Sequence, residues 1–586
     1  MSKLKRVLLV ARLPSIEPLG IMHLAGVAAE VGWECRVVLP DNDTFSDLYR
    51  VADEWRPDLV GFQIWTGPHK PMFDACDYIR ALGIPVAIGG PHATYFGEDC
   101  LLHAEYVVRG CGFGLFRNVL RGLTSVGMHF DKKGRSEAFP VPNRVAIYDQ
   151  YPQFANSPIK SMIASVGCPF FCTYCYASEF NKMHGGFLLT VRPVPELVTE
   201  ALAVISRWPL KMMYFQDDVF GFDLKWLEEF SRTWQNEVGI HFHCQIRLEL
   251  TRGESGDLRL DMLKKAGCSG ITLAIESGSA FLRDHVLFRH MSDNLIIEGC
   301  RKILDRGMTL RTEQILAVPF SSIQSDIGTL ELNSVIKPTM AWTSILAPYL
   351  GTDIGTIATN FGLYYGNNNE LDDTFFDRSV LRHVEGGCRD IEEVIRKLGS
   401  GNRDRVMLKL SAQHSVGNTA VVLHREHGEV GNITYLDSSA NDQYVSDVVR
   451  LQRLFDWLVR IPSAGNLARK LLAVPKDQWS WTMCGGIASA HIEQYFPTGV
   501  YERVLLGLST EMSCSPDVLP LSIKENPYMF GFFQSGGVLA NSMVQQGVFT
   551  LPPDELFRLA STIIRRHQFQ YSLYKISAGA DPLLCL

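Results

Sequence analysis

The sequence predicts an α/β protein in which a doubly wound parallel sheet is followed by a partial (β/α) barrel and a C-terminal region of a different kind. Two series of apolar strands alternate with amphipathic helices, and a stretch rich in Lys, Arg, Gly and Pro, residues 128–142, separates them. Such alternation is typical of parallel sheets covered by helices. Because it stops near residue 373, we expect domains at residues 1–140, 150–372 and 373–586.

Composition limits the classes of protein to which the chain can belong. A chain of 586 residues exceeds one hydrophobic core, and 46% hydrophobic with 20% charged residues is typical of a globular protein. The net charge of −7 disfavours a nucleic-acid-binding protein. No apolar run is long enough to span a bilayer, and the N-terminal run at residues 7–10 is too short for a signal peptide. The 14 cysteines form no dense disulfide framework, so we expect a cytoplasmic protein. Because no membrane-spanning run is present, we also expect no membrane as a partner.

The first series contains predicted strands at residues 6–11, 34–39, 58–64 and 85–88. Ligands of doubly wound sheets bind at the carboxyl ends of the strands. The turns expected at that edge are residues 18–20, 65–68, 89–92 and 109–110. Their glycines allow the backbone to approach a bulky ligand closely. A nucleotide or a flavin would use the same edge, so this pattern alone leaves the ligand open.

A second feature is a short loop with three cysteines, Cys168, Cys172 and Cys175, which follows an apolar run at residues 161–166. Three thiolates can bind three irons of a [4Fe–4S] cluster, whereas a structural zinc site or a ferredoxin cluster requires a fourth protein ligand. No fourth cysteine lies close in sequence, which leaves one iron open. A structural zinc site and a chance group of buried cysteines are the alternatives.

Polar residues follow later strands of the second series, where a parallel barrel carries its functional groups. They are Gln216, Asp217, Asp218, Arg247, Glu276 and Ser277. An arginine at such a rim matches a carboxylate, because guanidinium and carboxylate pair as a fork. Taken singly, an aspartate at a strand end is more often a helix cap and an arginine more often a surface ion pair.

The cysteine spacing, with an aromatic Tyr174 before the third cysteine, resembles the motif of radical S-adenosylmethionine (SAM) enzymes. In that family the amine and carboxylate of SAM bind the open iron. The resemblance implies a TIM-like partial barrel in which Cys168, Cys172 and Cys175 are the cluster ligands and the catalytic residues. It also implies SAM contacts from Tyr174, Gln216, Asp217, Arg247, Glu276 and Ser277. Residues 319–322 depart from the family's glycine-rich turn, so no contact is expected there.

The first series resembles the Rossmann-like cobalamin-binding domain that precedes the radical SAM domain in one subfamily, through residues 17–21, 24–25 and 60–68. That resemblance implies cobalamin contacts from Leu19, Gly20, Trp65, Thr66, Gly67, Gly89, Gly90, His92, Arg109 and Gly110. Residues 111–114 depart from the family pattern. No Asp-x-His-x-x-Gly motif occurs, so the lower cobalt face should lack a histidine ligand. The alternative for His92 is an ordinary loop histidine.

Together the two resemblances imply a cobalamin-dependent radical SAM methyltransferase. Such an enzyme transfers a methyl group from SAM via methylcobalamin to a carbon or phosphorus centre of a small molecule or peptide, here in natural-product biosynthesis. The implied cofactors are a [4Fe–4S] cluster, SAM and cobalamin, with an electron donor such as flavodoxin or ferredoxin. A rearrangement, ring contraction or cyclisation on the same scaffold is one alternative, and an iron–sulfur or zinc binding module without turnover is another. Radical and polar methyl transfer both remain open.

The C-terminal third is expected to be a mostly helical cap over the barrel mouth that binds or encloses the substrate. Predicted helices lie at residues 447–459, 468–474 and 553–568, after a short β section at residues 419–435. The aromatic run at residues 479–486 is either a pocket wall or core. Cys484 and Cys514 are expected to be buried thiols rather than metal ligands.

Overall fold

The computed structural model describes residues 4–14, 16–41, 43–131, 139–372, 374–398, 405–459, 463–475 and 477–478. The predicted helix at 553–568, the aromatic run at 479–486, Cys484 and Cys514 lie outside these residues. Within them, no helix combines the length and the hydropathy that a bilayer span requires.

The first domain is a six-stranded sheet in the order β2-β1-β3-β4-β5-β6, with every neighbouring pair parallel. Its strands are β1 (Arg6–Ala11), β2 (Glu34–Val38), β3 (Leu59–Gln63), β4 (Val86–Gly89), β5 (Tyr106–Gly110) and β6 (Gly127–Asp131). Its helices are α1 (Leu19–Glu30), α2 (Ser46–Trp55), α3 (His69–Ala81), α4 (Pro91–Tyr95), α5 (Gly97–Leu101) and α6 (Phe113–Leu120). The strand order reverses beside β1, which creates the crevice where doubly wound sheets bind ligands. The predicted fold class is confirmed here.

The predicted linker at residues 128–142 is wrong in its first part. Residues up to Asp131 belong to β6, which pairs with β5 from Tyr106 opposite Gly127 to Gly110 opposite Asp131. A short edge strand is half-exposed, so its polar side chains hide the strand pattern in the sequence. The chain then continues through α7 (Val145–Tyr148) and α8 (Pro152–Asn156) to the second domain.

The second domain is a curled half-barrel of six parallel strands in the order β7-β10-β11-β12-β13-β14. Its strands, with a small β8/β9 ribbon, are β7 (Ile159–Met162), β8 (Ser165–Val166), β9 (Thr190–Val191), β10 (Met212–Phe215), β11 (His241–Gln245), β12 (Cys268–Glu276), β13 (Thr309–Leu316) and β14 (Met340–Ile345). Its helices are α9 (Tyr176–Met183), α10 (Val194–Ile205), α11 (Leu224–Thr233), α12 (Gly253–Lys265), α13 (Asp293–Asp305), α14 (Ile323–Ile336) and α15 (Asp353–Asn360). The predicted partial barrel is confirmed.

The two faces of the half-barrel differ in chemistry. Alternate positions such as Met213, Phe242 and Leu273 are fully buried beneath the helices. The positions between them on the inner face, including Arg311 and Trp342, are half-exposed. A closed barrel fills its interior with branched apolar side chains. The open, polar inner face of this half-barrel is therefore free to hold ligands.

The described part of the C-terminal third contains both helices and strands. They are α16 (Arg389–Leu398), β15 (Leu410–Val416), β16 (Thr419–His424), β17 (Gly428–Thr434), α17 (Ser438–Leu458) and α18 (Ala464–Leu472). The three strands form an antiparallel sheet, as the predicted β section indicates. Helices α17 and α18 cover the predicted helices at 447–459 and 468–474 and pack against α14, and α17 also packs against edge strand β14. Helices α17 and α18 therefore lie along the β14 edge of the half-barrel, whereas β15 packs against α15.

A buried ionic network joins the first two domains. Arg144 donates to the carbonyl of Ser161 at 2.6 Å and to the carboxylate of Glu200 at 2.8 Å. Glu17, from the first domain, accepts the backbone N–H of Ser161 and the hydroxyl of Tyr148. Removing one partner would leave a buried charge uncompensated, so the network fixes the two domains relative to each other.

Candidate active site

The cysteine loop begins where β8 ends, and its entry depends on one glycine. Gly167 has φ of 97°, and a Cβ there would collide with the carbonyl of Leu188. Only glycine fits this conformation at this distance. Asn181 then holds both sides of the loop, donating to the carbonyl of Cys168 at 2.7 Å and accepting from the N–H of Leu188 at 2.8 Å.

Cys168, Cys172 and Cys175 line one cavity of about 310 Å³. Their sulfurs do not all lie within 4.8 Å of one another; in the described chain, only His424, Glu426 and His427 form a group that close. Ligands of one zinc ion lie closer, whereas a cubane cluster binds each sulfur through a different iron. Burial raises the pKa of Cys168 to about 12 and also raises the pKa of Cys175, so metal binding must displace a proton from each of these two thiols.

Arg247 lies in the cavity wall beside the cysteines. Its Nε and Nη2 donate to the two carboxylate oxygens of Glu249, at 3.1 and 2.5 Å. Its Nη1 donates to the sulfur of Cys172 at 2.9 Å, and its guanidinium lies 4.1 Å from the ring of Phe170. The carboxylate partner predicted for Arg247 is therefore Glu249 of the chain itself, and its third nitrogen, Nη1, binds the sulfur of Cys172.

Glu276 and Tyr174, which also line the cavity, are joined through Arg289, a residue that the sequence did not indicate. Tyr174 donates to Glu276, and Nη1 of Arg289 donates to Glu276 at 2.7 Å and to the hydroxyl of Tyr174 at 3.0 Å. Burial raises the pKa of Glu276, and Arg289 opposes that rise. Nε of Arg289 is buried and has no partner in the described chain, which leaves one donor for a ligand.

The backbone around Arg289 is strained. Phe288 and His290 on either side have φ of 57° and 40°, and Glu276 itself has φ of 65°. Left-handed conformations at bulky residues persist only where the surroundings impose them, and they concentrate at functional sites. Because no motif accompanies this loop, only the folded chain reveals the residue.

The predicted SAM residues Gln216, Asp217 and Ser277 do not line the cavity. Asp217 accepts from Ala164 N at 3.0 Å and Ser165 Oγ at 2.6 Å, and burial raises its pKa to about 7 despite these bonds. Gln216 lies 3.5 Å from the carbonyl of Glu17. The next residue, Asp218, does line the cavity. Neighbouring residues of an extended chain face opposite ways, so a one-residue difference decides which carboxylate a ligand meets.

The far side of the cavity is formed by β13, β14 and the segment after them. Sequence reasoning did not identify its residues, which include Glu313, Ile315, Trp342, Tyr349 and Phe375. The available signal was the pair Arg311 and Glu313, two charged residues on the same face of one strand.

The carboxyl edge of the first sheet holds a second cavity, of about 150 Å³. Apolar side chains such as Leu9, Phe113 and Phe116 line it together with the backbone of six glycines, which are Gly20, Gly61, Gly89, Gly90, Gly110 and Gly112. Gly90 has φ of 96°, and a Cβ there would lie 2.9 Å from the carbonyl of Ile64. Four of the predicted cobalamin residues, Gly20, Gly89, Gly90 and Gly110, therefore meet in one narrow cleft.

The remaining predicted cobalamin residues do not line that cleft; they are Leu19, Trp65, Thr66, Gly67, His92 and Arg109. His92 is fully buried, bonded through Nδ1 to Thr66 Oγ1 at 2.9 Å, and burial lowers its pKa to about 3. Arg109 donates to the carbonyl of Thr94 at 2.9 Å. His92 and Arg109 therefore make hydrogen bonds that hold the turns at this edge in place.

The edge of the first sheet lies directly against the cysteine loop. Tyr95, at the end of α4, stacks on Tyr176 with ring centroids 3.9 Å apart and donates to its carbonyl at 2.9 Å. Tyr176 follows Cys175 immediately and also contacts Tyr349 in the cavity wall, with centroids 5.1 Å apart. The two candidate ligand edges therefore share one aromatic junction.

Comparison with known families assigns both domains. Residues 5–120 match the B12 binding domain family, and residues 162–327 match the Radical SAM superfamily. An uncharacterized methyltransferase of Pyrococcus horikoshii is 22% identical over 435 residues, which cover 68% of this chain and 90% of that protein. The cytidylyl-2-hydroxyethylphosphonate methyltransferase of Streptomyces wedmorensis is 23% identical over 335 residues, or 44% of this chain and 61% of that protein.

The fold also resembles a solved structure. The cobalamin-dependent S-adenosylmethionine radical enzyme OxsB, with aqua-cobalamin and S-adenosylmethionine bound, aligns with a TM-score of 0.53 at 12% identity. The alignment covers 96% of this chain and 84% of that one. At this identity the likeness establishes a shared fold.

Proposed function

Since the chain is a cobalamin-dependent radical SAM enzyme, with a B12 binding domain ahead of a radical SAM half-barrel, we propose that it is a methyltransferase acting on a small molecule. The methyl group comes from SAM, travels through cobalamin and ends on a carbon or phosphorus atom. One observation carries the proposal: Tyr95 of the first domain stacks on Tyr176, next to the last cluster cysteine. Donor and carrier then face one junction, as transfer between them requires.

The residues of the cavity fit the three cofactors. Cys168, Cys172 and Cys175 would hold the cluster, and Arg289, with its unpaired buried Nε, faces the region where SAM would bind. The glycine-walled cleft of the first sheet would take part of cobalamin, because backbone walls admit a bulky ligand. When bound, the cluster supplies single electrons to SAM and cobalamin carries the methyl group.

The chain's own part is to position these groups and exclude water. Arg289 and Glu276, both buried, and the half-buried Tyr174 form one hydrogen-bonded unit, whose orientation is fixed before any ligand arrives. The ionic network around Arg144 holds the two ligand edges together. Preorganised donors in a cavity shielded from water act more strongly than the same donors in solvent.

The relatives support methylation as the reaction. The two sequence relatives named above, from Pyrococcus horikoshii and Streptomyces wedmorensis, are methyltransferases by name. A hopanoid C-3 methylase of Methylococcus capsulatus also matches 31% of this chain at 24% identity. Their named activities use unlike acceptors, so they do not identify the acceptor of this chain. A role in natural-product biosynthesis and a reduced flavodoxin or ferredoxin as electron donor are parts of the proposal.

Isotope transfer tests the reaction. The protein is loaded anaerobically with cluster and cobalamin, reduced chemically and given SAM that carries a deuterated methyl group. The proposal expects the label in the cobalamin fraction, and expects no label there for Cys172→Ala. SAM cleavage to methionine without labelled cobalamin would overturn methyl transfer and favour a rearrangement on the same scaffold.

A further inference from the structure

The part of the large cavity that faces β13 and β14 differs from the part beside the cysteines. We call it the aromatic half; its walls include Glu313, Ile315, Trp342, Leu346, Tyr349 and Phe375. Among the described residues from these strands and the segment after them, Glu313 is the only charged one that lines it. A pocket of this kind takes its specificity from its few polar groups.

Glu313 is held in place from behind. Arg311, two residues earlier on the same face of β13, places Nη2 at 2.9 Å from Oε1 of Glu313. The guanidinium of Arg311 also lies 4.6 Å from the ring of Trp342, and Arg311 itself does not line the cavity. In the described chain, Oε2 of Glu313 has no hydrogen-bond partner. A ligand in the cavity would therefore contact the carboxylate of Glu313, which Arg311 holds in place, and not Arg311 itself.

A ligand in this half must compensate that carboxylate when it displaces water. An apolar group over the free oxygen would leave it unpaired, and an anionic group would face repulsion. A protonated amine would form a charge-assisted hydrogen bond, and the surrounding ring faces attract a cation as well. The cavity of about 310 Å³ must also admit SAM, which restricts the rest of the ligand to a small apolar body.

We propose that the aromatic half binds the substrate, and that the substrate is a small molecule carrying a protonated amine on an apolar or aromatic body, with Glu313 as the specificity-determining residue. The assignment as substrate rests on the proposed methyl transfer, because it assumes that the acceptor shares the cavity of the cysteines. Recognition of the amine by Glu313 stands on the geometry of β13 and β14 alone.

Two probes of matched shape and opposite charge test this recognition. The protein loaded anaerobically with cluster, cobalamin and SAM is titrated calorimetrically, without reductant, with 2-phenylethylamine and with 3-phenylpropionate. We expect the amine to bind at least ~10-fold more tightly, the ratio expected for one hydrogen bond to a charged group. Equal binding, tighter binding of the carboxylate, or no binding of the amine would overturn the proposal.

Substitutions attribute the preference to its residue. In Glu313→Gln the preference for the amine should be lost, and the carboxylate probe should bind more tightly than it does to the wild type, because Arg311 loses its anionic partner. The matched control Glu229→Gln changes an exposed carboxylate on α11 and should keep the wild-type ratio. Trp342→Leu should weaken both probes and leave the amine the tighter one. An unchanged ratio in Glu313→Gln would overturn the role of Glu313, and thermal unfolding of each variant shows whether it is folded.

The outcome is separable from that of the proposed function, since no turnover occurs in the titration. An amine preference without labelled cobalamin would reject methyl transfer and keep the binding site. Labelled cobalamin without an amine preference would reject the binding site and keep methyl transfer.

Discussion

The two ligand-facing regions of this molecule are built from different parts of the chain. The edge of the first sheet presents backbone, through glycines such as Gly90, whereas the half-barrel presents charged side chains such as Arg247, Arg289 and Glu313. Adding an atom should therefore damage the first region, and removing a charge should damage the second. One chain thus prepares two neighbouring sites by opposite means.

The largest effect is expected from the cluster loop. Cys172→Ala removes one of three ligands and should abolish the visible absorption of the reconstituted cluster, because the remaining pair of thiols cannot hold three irons. Iron and sulfide analysis with absorption spectroscopy measures it. Cys388→Ala is the control, since that half-buried thiol bonds to Glu392 and does not line the cavity. A normal cluster in Cys172→Ala would contradict the role of the loop.

The second-largest effect is expected from the buried ionic network around Arg144, which connects the two domains. Arg144→Met leaves the buried carboxylate of Glu17 without its ion-pair partner, whereas Glu200 keeps its pair with Arg192, and the loss should cost about 3–5 kcal/mol of folding stability. Urea unfolding measures the loss. Arg56→Met, which breaks an exposed pair with Asp53, should cost no more than about 1 kcal/mol. Equal losses in the two variants would show that the network does not join the domains.

The backbone-lined region can be challenged with matched glycines. Gly90→Ala and Gly83→Ala both place a Cβ on a residue with positive φ, which costs about 1–2 kcal/mol of stability at Gly83 and more at Gly90, because the backbone of Gly90 (φ 96°, ψ −172°) lies in a region that only glycine favours. At Gly83 the Cβ meets nothing within 4 Å, whereas at Gly90 it meets the carbonyl of Ile64 at 2.9 Å and Cγ of Gln63, a residue that lines the cleft, at 3.0 Å. Cobalamin retention on gel filtration should fall in Gly90→Ala only. Equal retention of cobalamin in both variants would show that the cleft does not bind cobalamin.

The smallest effect is a change in electronic tuning. Arg247→Gln removes the cationic donor to the sulfur of Cys172, which favours the more negative, reduced cluster. The reduction potential should fall by about 60 mV, equivalent to about 1.4 kcal/mol for one electron. Redox titration followed by electron paramagnetic resonance measures it, with Arg247→Lys expected between the two. A potential equal to that of the wild type would show that Arg247 serves another ligand.

Local patterns could be predicted from the sequence, and pairings across the fold could not. The cysteine loop and the glycine turns depend on residues close together in the chain, so their spacing was readable. Arg289 acts because a strained loop carries it to Glu276, and no local pattern records that approach. Asp218 lines the cavity in place of Asp217 because the register at a strand end decides it. Strand β6 looked like a linker because only its pairing with β5 makes it a strand.

The central claim is that the two cofactor edges meet at the junction of Tyr95 and Tyr176. Electron paramagnetic resonance of protein that holds both Co(II) cobalamin and a reduced cluster tests it most directly. The account predicts that each signal is broadened and split by magnetic coupling to the other centre, because the two edges are in contact. Two sharp signals, identical to those of protein loaded with one cofactor at a time, would contradict it.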